Sequence, residues 1–107
     1  MIVTTSENIA GRKVTRTLGL VRGSTIRARH IGKDVLAGLR GIVGGEVTEY
    51  TKMMAESREQ AIDRMLEEAH TLGANAVISV RFMTSMVMSG AAEILCFGTA
   101  VVVEEEG

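Results

Sequence analysis

The sequence predicts an α+β fold: one domain over residues 1–107, in the order β-β-α-α-β-β, with two helices on a mostly antiparallel sheet. Three observations predict it. β-branched, partly alternating runs occupy both ends of the chain. Two stretches of helical period fill the middle. Glycine pairs and other turn formers separate them.

The first element is Ile2-Val3-Thr4, a short β-rich run closed by Ser6, Asn8 and Gly11. Lys13 to Arg29 reads as one long, bent strand or two collinear ones. Val14, Leu18 and Leu20 share one parity, and Thr15, Thr17 and Val21 share the other. Gly19 and Gly23 interrupt the run and mark a bulge, a bend or a close backbone approach. Period then changes. Ile31, Val35, Leu39 and Val43 recur every fourth residue, which predicts an amphipathic helix stopped by Gly44-Gly45. Gly38 and Gly41 inside it point to close backbone packing, because glycine otherwise costs about 1 kcal/mol there relative to alanine.

Glu46 to Leu72 is the strongest helical stretch, free of glycine and proline, with acidic residues in its first turn that complement the helix dipole. Val47, Tyr50, Met54, Ala61, Met65, Ala69 and Leu72 trace one stripe, broken by a polar gap near Ser57. At roughly 1.5 Å per residue the helix is about 40 Å long, so its end is expected to project onto a neighbouring subunit. Gly73-Ala74-Asn75 ends it. In the next strand Ala76, Ile78, Val80 and Phe82 are expected on one face, with Val77, Ser79, Arg81 and Met83 on the other. Ser89-Gly90 signals a hairpin. Ala91 to Val103 is apolar at both parities, which predicts cover on both faces, the second from subunit contacts.

Composition limits the function. The chain has 107 residues, 46% apolar and 23% charged, long enough to bury a core without disulfide or metal staples. One Tyr, two Phe and no Trp leave no aromatic platform for single-stranded nucleic acid. Cys96 is the single cysteine, which fits a reducing cytoplasm. No signal peptide and no membrane-spanning stretch is expected. Residues 1–45 hold eight Lys/Arg against Glu7 and Asp34, a net of +6. Residues 46–107 hold four against eleven Asp/Glu, a net of −7. Arg12, Lys13, Arg16, Arg22, Arg27 and Arg29 have mixed parity and form no single stripe. Salt bridges within the fold or between subunits are therefore expected ahead of nucleic-acid binding.

Candidate chemistry is sparse. Met83, Met86 and Met88 crowd one end of a hairpin with Cys96 on the partner strand, and soft thioether and thiolate ligands suit Cu(I). Methionine also fills irregular apolar gaps, and the parities of Met83 and Met86 place them on opposite faces. His30 and His70 lie 40 residues apart, without the paired spacing of a zinc site. Cys96 sits in an apolar strand with no base beside it, so a buried inert thiol is expected. Gly41-Ile42-Val43-Gly44-Gly45 lacks the Lys-Ser/Thr of a phosphate-binding loop but precedes a helix N-terminus, where a small anion can bind. Gly38, Gly41, Gly44, Gly45 and Tyr50 are the candidate binding residues; no catalytic residue is assigned.

Five blocks carry a resemblance: Met1-Ile2-Val3-Thr4-Thr5; Leu18-Gly19-Leu20-Val21-Arg22-Gly23; Gly38-Leu39-Arg40-Gly41-Ile42-Val43-Gly44-Gly45 followed by Tyr50; Leu72-Gly73-Ala74-Asn75-Ala76-Val77; and Gly98-Thr99-Ala100-Val101-Val102. Together they resemble the YbjQ-like family of small, uncharacterised bacterial and archaeal proteins. The resemblance implies this same element order and a homo-pentameric ring, which can stack into a decamer. The family is sometimes labelled heavy-metal-binding, but no ligand set comes with the motif, and Met83–Met88 lies outside the shared blocks. The expected function is a cytoplasmic homo-oligomeric interaction or structural module without catalysis of its own. The alternative is a binding protein for a soft heavy-metal ion or small anion at subunit interfaces.

Overall fold

Ala91–Glu105, apolar at both parities, lies inside the sheet and contributes residues to a core on each face. A computed structural model describes residues 1–28, 45–88 and 91–106, except for the side chains of residues 28, 45–50 and 88. The described elements are β1 (Ile2–Val3), β2 (Arg12–Ala28), α1 (Gly45–Thr71), β3 (Ala76–Met88) and β4 (Ala91–Glu105). The expected Ile31–Val43 helix lies outside the described residues. Sheet order is β1-β3-β4-β2.

β4 pairs antiparallel with both β2 and β3, from Ala28↔Ala91 and Met88↔Ala91 at the hairpin end. β1 pairs parallel with β3 through Ile2↔Ala76 and Val3↔Val77, so the sheet is mixed and not simply antiparallel. A parallel pair needs a crossover. Here the chain leaves β1, runs through residues 4–11, and enters β2 at the opposite edge. On the way Ile9 packs with Ile2 and Ile78 over Ala76, Val101 and Val103.

α1 lies on the other face, mainly over β2 and β4. Ser57, Ala61, Met65 and Ala69 repeat every fourth residue and are fully buried. They meet Val21, Val77, Val80, Ile94, Cys96 and Ala100. Small residues on this stripe let the helix sit close to the sheet, and Gly23 is where the backbones meet. A Cβ at Gly23 would lie 2.2 Å from the Ala61 carbonyl oxygen and 2.5 Å from the Met65 nitrogen. This is the close approach that the glycine predicts. Leu72, assigned to the stripe, lies beyond the helix and is exposed.

Two bulges redraw the expected parities. β2 shifts register between Val14 and Arg16 and again between Thr17 and Gly19, where Gly19 takes φ +112°. Leu18 thereby packs toward the helix side while Leu20 is exposed on the other. In β3, Ser79 takes φ 55° within a register shift between Ile78 and Arg81. Val80 therefore joins Val77 under the helix, and Ala76 with Ile78 lies on the opposite face. Strict alternation placed Ala76, Ile78 and Val80 together; one residue in left-handed geometry separates them.

β4 stays regular, so its burial records what covers each face. Ile94, Cys96, Gly98 and Ala100 are buried under α1. Val101 and Val103, on the other face, are buried by the chain's own residues Ile2 and Ile9. The expectation that subunits alone cover that face is thus corrected at this end. Leu95, Phe97 and Thr99 farther along it are half-buried.

Candidate functional site

The sulfur side chains are divided by the sheet. Cys96 stands in register with Phe82 and Gly23 on the helix face. Its Sγ donates to Met65 Sδ at 3.6 Å, and neither side chain has solvent exposure. Burial pushes the thiol pKa up, which keeps the sulfur protonated and a poor nucleophile. Met83 is in register with Leu95 on the opposite face and is exposed. Met86 is in register with Ala92, and the Met88 side chain lies outside the described residues. The predicted set Met83, Met86, Met88 and Cys96 is therefore not gathered at one point. Cys96 has a sulfur partner that spacing did not reveal, 31 residues away on α1.

Gly38, Gly41 and Gly44 of the glycine-rich junction, like His30, lie outside the described residues. Gly45 opens α1 and Tyr50 follows in its second turn. His70 is exposed in the last turn of α1.

Other side chains converge that the sequence did not group. Ser57 fills the polar gap in the helical stripe. Arg27 Nε donates to Ser57 Oγ at 2.8 Å, and Ser57 Oγ donates to the Met53 carbonyl at 3.0 Å. Buried Thr25 donates from Oγ1 to the Ser57 carbonyl at 3.1 Å. Arg27 also donates to Gln60 Oε1. These contacts tie β2 to α1 and pair the buried hydroxyls of Thr25 and Ser57. The gap was visible as a break in periodicity, whereas its partners, about 30 residues away, were not. Arg64 donates to the Ser24 carbonyl, and Arg81 donates to the Thr5 and Val80 carbonyls. These arginines hold backbone.

Among the described residues the basic and acidic segments meet along β2 and β4. Lys13 faces Glu104 and Arg12 faces Glu105 across β2 and β4. Arg12 and Glu105 approach to 3.9 Å at the surface. An open pocket of about 600 Å³ lies between the N-terminus and α1, lined by Met1, Asp63, Leu66, Glu67, His70 and Thr71. The spacing of Asp63, Glu67 and His70 already puts them on one helix face; that Met1 closes the other side was not legible. No three His, Cys, Asp or Glu side chains among the described residues are placed to share a metal ion. No helix among them is long and apolar enough to cross a membrane.

A family model described as "Putative heavy-metal-binding" matches residues 1–104. The chain belongs to this YbjQ family. The UPF0145 protein of Methanosarcina acetivorans is 63% identical over 94% of this chain and 95% of its own length. One from Dehalococcoides mccartyi is 61% identical over 97% of this chain and all of its own. One from Thermus thermophilus is 58% identical over 97% and 91%. A crystal structure of a protein of unknown function from Pediococcus pentosaceus, assigned to the DUF74 family, matches with a TM-score of 0.65. It is 15% identical and covers 97% of this chain and 98% of that one, a likeness of fold alone. The described residues of one YbjQ chain do not fit the metal in the family's description. Its buried thiol is held protonated, its one sulfur neighbour is a thioether, and no carboxylate or imidazole joins them.

Proposed function

We propose that this YbjQ protein is a single-domain building block of a cytoplasmic homo-oligomeric ring that serves as an interaction or structural module without catalysis of its own. A pentamer, or a decamer of two stacked rings, is what the resemblance implies. The observation that carries this reading is where large apolar side chains remain in water. Leu20 and Ile26 are 61% and 64% exposed, and Met83 and Met86 are 54% and 73% exposed. Large apolar side chains left in water on two strands are surface that another copy can cover. The elongated shape supports the same reading: the radius of gyration is 17.7 Å, against about 13 Å for a compact chain of 100 residues. Native mass spectrometry of the purified protein, without added metal, tests it. A ring mass is expected, and a bare monomer at micromolar concentration would refute it.

The second reading is a soft heavy-metal ion or small anion held between subunits; the family description supports its heavy-metal form. Such a site would draw on the Met83–Met88 strand or on the Gly38–Gly45 junction with Tyr50, contributed by more than one copy. Under this reading the ring carries extra mass per subunit, and elemental analysis of the dialysed ring finds metal in a fixed ratio to chains. A ring of bare mass with no bound metal would refute it.

A further inference from the structure

We infer that the face of the sheet turned away from α1 holds an amphipathic organic anion, a medium-chain carboxylate whose head pairs with Arg22 and Arg81 and whose tail lies along Phe97 and Leu95. The inference goes beyond the ring reading and needs from it only that no copy lies over Phe97.

β4 brings the parts of this site together. Phe97 stands in register with Arg22 on β2 and with Arg81 on β3, so the three residues cross the sheet in one row. Cys96 packs under α1, and alternation along β4 turns Phe97 to the other face. The next row on that face is Ser24, Leu95 and Met83, and the row after it is Ile26, Glu93 and Ser85. On the other side of Phe97 the bare face ends. Beyond Thr99, Ile2 and Ile9 cover Val101 and Val103 as a second layer. Phe97 and Leu95 thus lie at the foot of a step, half-buried, with Met83 and Ile26 left 54% and 64% exposed beside them.

Two cations frame this apolar floor, and neither is neutralised. Arg81 Nη1 donates to the Thr5 and Val80 carbonyls at 2.8 Å, which fixes its guanidinium beside the step. Carbonyl partners leave its charge whole and its other N–H groups to spare. Arg22 is exposed and has no hydrogen bond or ion pair among the described residues. No carboxylate among them pairs with either guanidinium. The carboxylate on this face, Glu93, stands four residues along β4 from Phe97, which is roughly 14 Å. That spacing shapes the ligand. A carboxylate head matches the fork of a guanidinium. A tail leaving it along Phe97, Leu95 and Met83 stays on apolar side chains until it reaches Glu93. A bare inorganic anion leaves that floor in water, and a long acyl chain overruns it. An anionic bilayer fits less well, because Glu93 shares the face and would be pressed against like charge.

Sodium decanoate, kept below its micellar concentration, is the probe. Methionine methyl NMR of the whole protein, in whatever assembly it adopts, reads where decanoate sits, and calorimetry reads how tightly. The Met83 methyl should move as decanoate is added, whereas that of Met65, buried under α1, should not. Decanol has the same tail without the charge, and hexanoate the same head with a shorter tail. Each should bind at least about tenfold more weakly than decanoate. Arg22→Gln, at an exposed position with no partner to lose, should weaken decanoate binding by a similar factor, and Arg22→Lys should recover part of it. A Met83 methyl that decanoate leaves unmoved would overturn the inference, and a second copy seated on this face would produce that result. Decanol binding as tightly as decanoate would overturn it too, as would an Arg22→Gln chain that binds like the natural protein. Binding to phosphatidylglycerol vesicles without binding to decanoate would give the face to a bilayer surface instead.

Discussion

At the scale of single residues, Gly23 limits the structure most tightly. What a side chain would meet there is backbone, the Ala61 carbonyl and the Met65 nitrogen, neither of which can turn aside. Gly23→Ala must lift α1 off β2, and overpacking of this kind costs about 1–3 kcal/mol. At Gly98 an added Cβ would meet Val77 Cγ1 at 2.8 Å, the Ile78 carbonyl at 3.0 Å and Val80 Cγ2 at 3.1 Å, a contact part of which two side chains can relieve. Urea unfolding should therefore show a larger loss for Gly23→Ala than for Gly98→Ala; equal losses would contradict the close helix contact. Cys96 makes a prediction about pH. Its folded pKa is raised, so its contribution is complete below the unfolded thiol value of about 8.5 and declines as pH rises beyond it. In the unfolded chain the thiol ionises freely, whereas folding must keep it protonated. Stability of the natural protein should fall more steeply between pH 8 and 10 than that of Cys96→Ala. Parallel slopes would show that burial does not govern this thiol.

The elements are joined by contacts that sequence periodicity registers only as irregularities. A run of small and apolar residues every fourth position located α1, and its observed span, Gly45–Thr71, differs little from the predicted one. Ser57 broke that run because it belongs to a polar joint between elements, with Arg27 and Thr25 as partners on β2. Ser57→Ala leaves Arg27 Nε without its acceptor, and stability should fall by about 1–2 kcal/mol. A double-mutant cycle with Arg27→Ala should then show the two losses to be non-additive. Full additivity would mean that the joint is not a joint. The strands β2, β3 and β4 were legible for the same reason as the helix: β-branched residues and turn signals act locally. The parallel pairing of β1 was not, because it depends on where residues 4–11 carry the chain. Nor was the bulge at Ser79, since nothing in Ile78-Ser79-Val80 marks a left-handed residue. Ser79→Gly should raise stability by about 0.5–1 kcal/mol by relieving that backbone strain. The candidate sulfur set failed for a related reason: neighbours in sequence on β3 were divided between two faces, while Cys96 found its sulfur contact on the helix.

Across the whole molecule, two thin cores lie on opposite faces of one sheet, within extents of 60 × 24 × 17 Å. The larger core lies beneath α1. The smaller is built from Ala76, Val101 and Val103 with Ile2, Ile9 and Ile78 around them. Between the smaller core and the hairpin end, Leu95 and Phe97 are only half-buried and Leu20, Ile26 and Met83 are exposed. Under the ring reading proposed above, the fold completes its burial by contact with its own copies, and its stability must then be linked to concentration. Association stabilises the folded chain by mass action, and each tenfold rise in protein should add roughly 1 kcal/mol per chain. With a urea slope of about 1–3 kcal/mol per molar, the unfolding midpoint should climb by roughly 0.5 M for each tenfold rise. The chain carrying both Leu20→Lys and Ile26→Lys should show a lower midpoint that does not move with concentration. A fixed midpoint in the natural protein, across a range where native mass spectrometry finds both ring and monomer, would mean that assembly adds nothing to the fold. The exposed strands would then have to be stable as they stand.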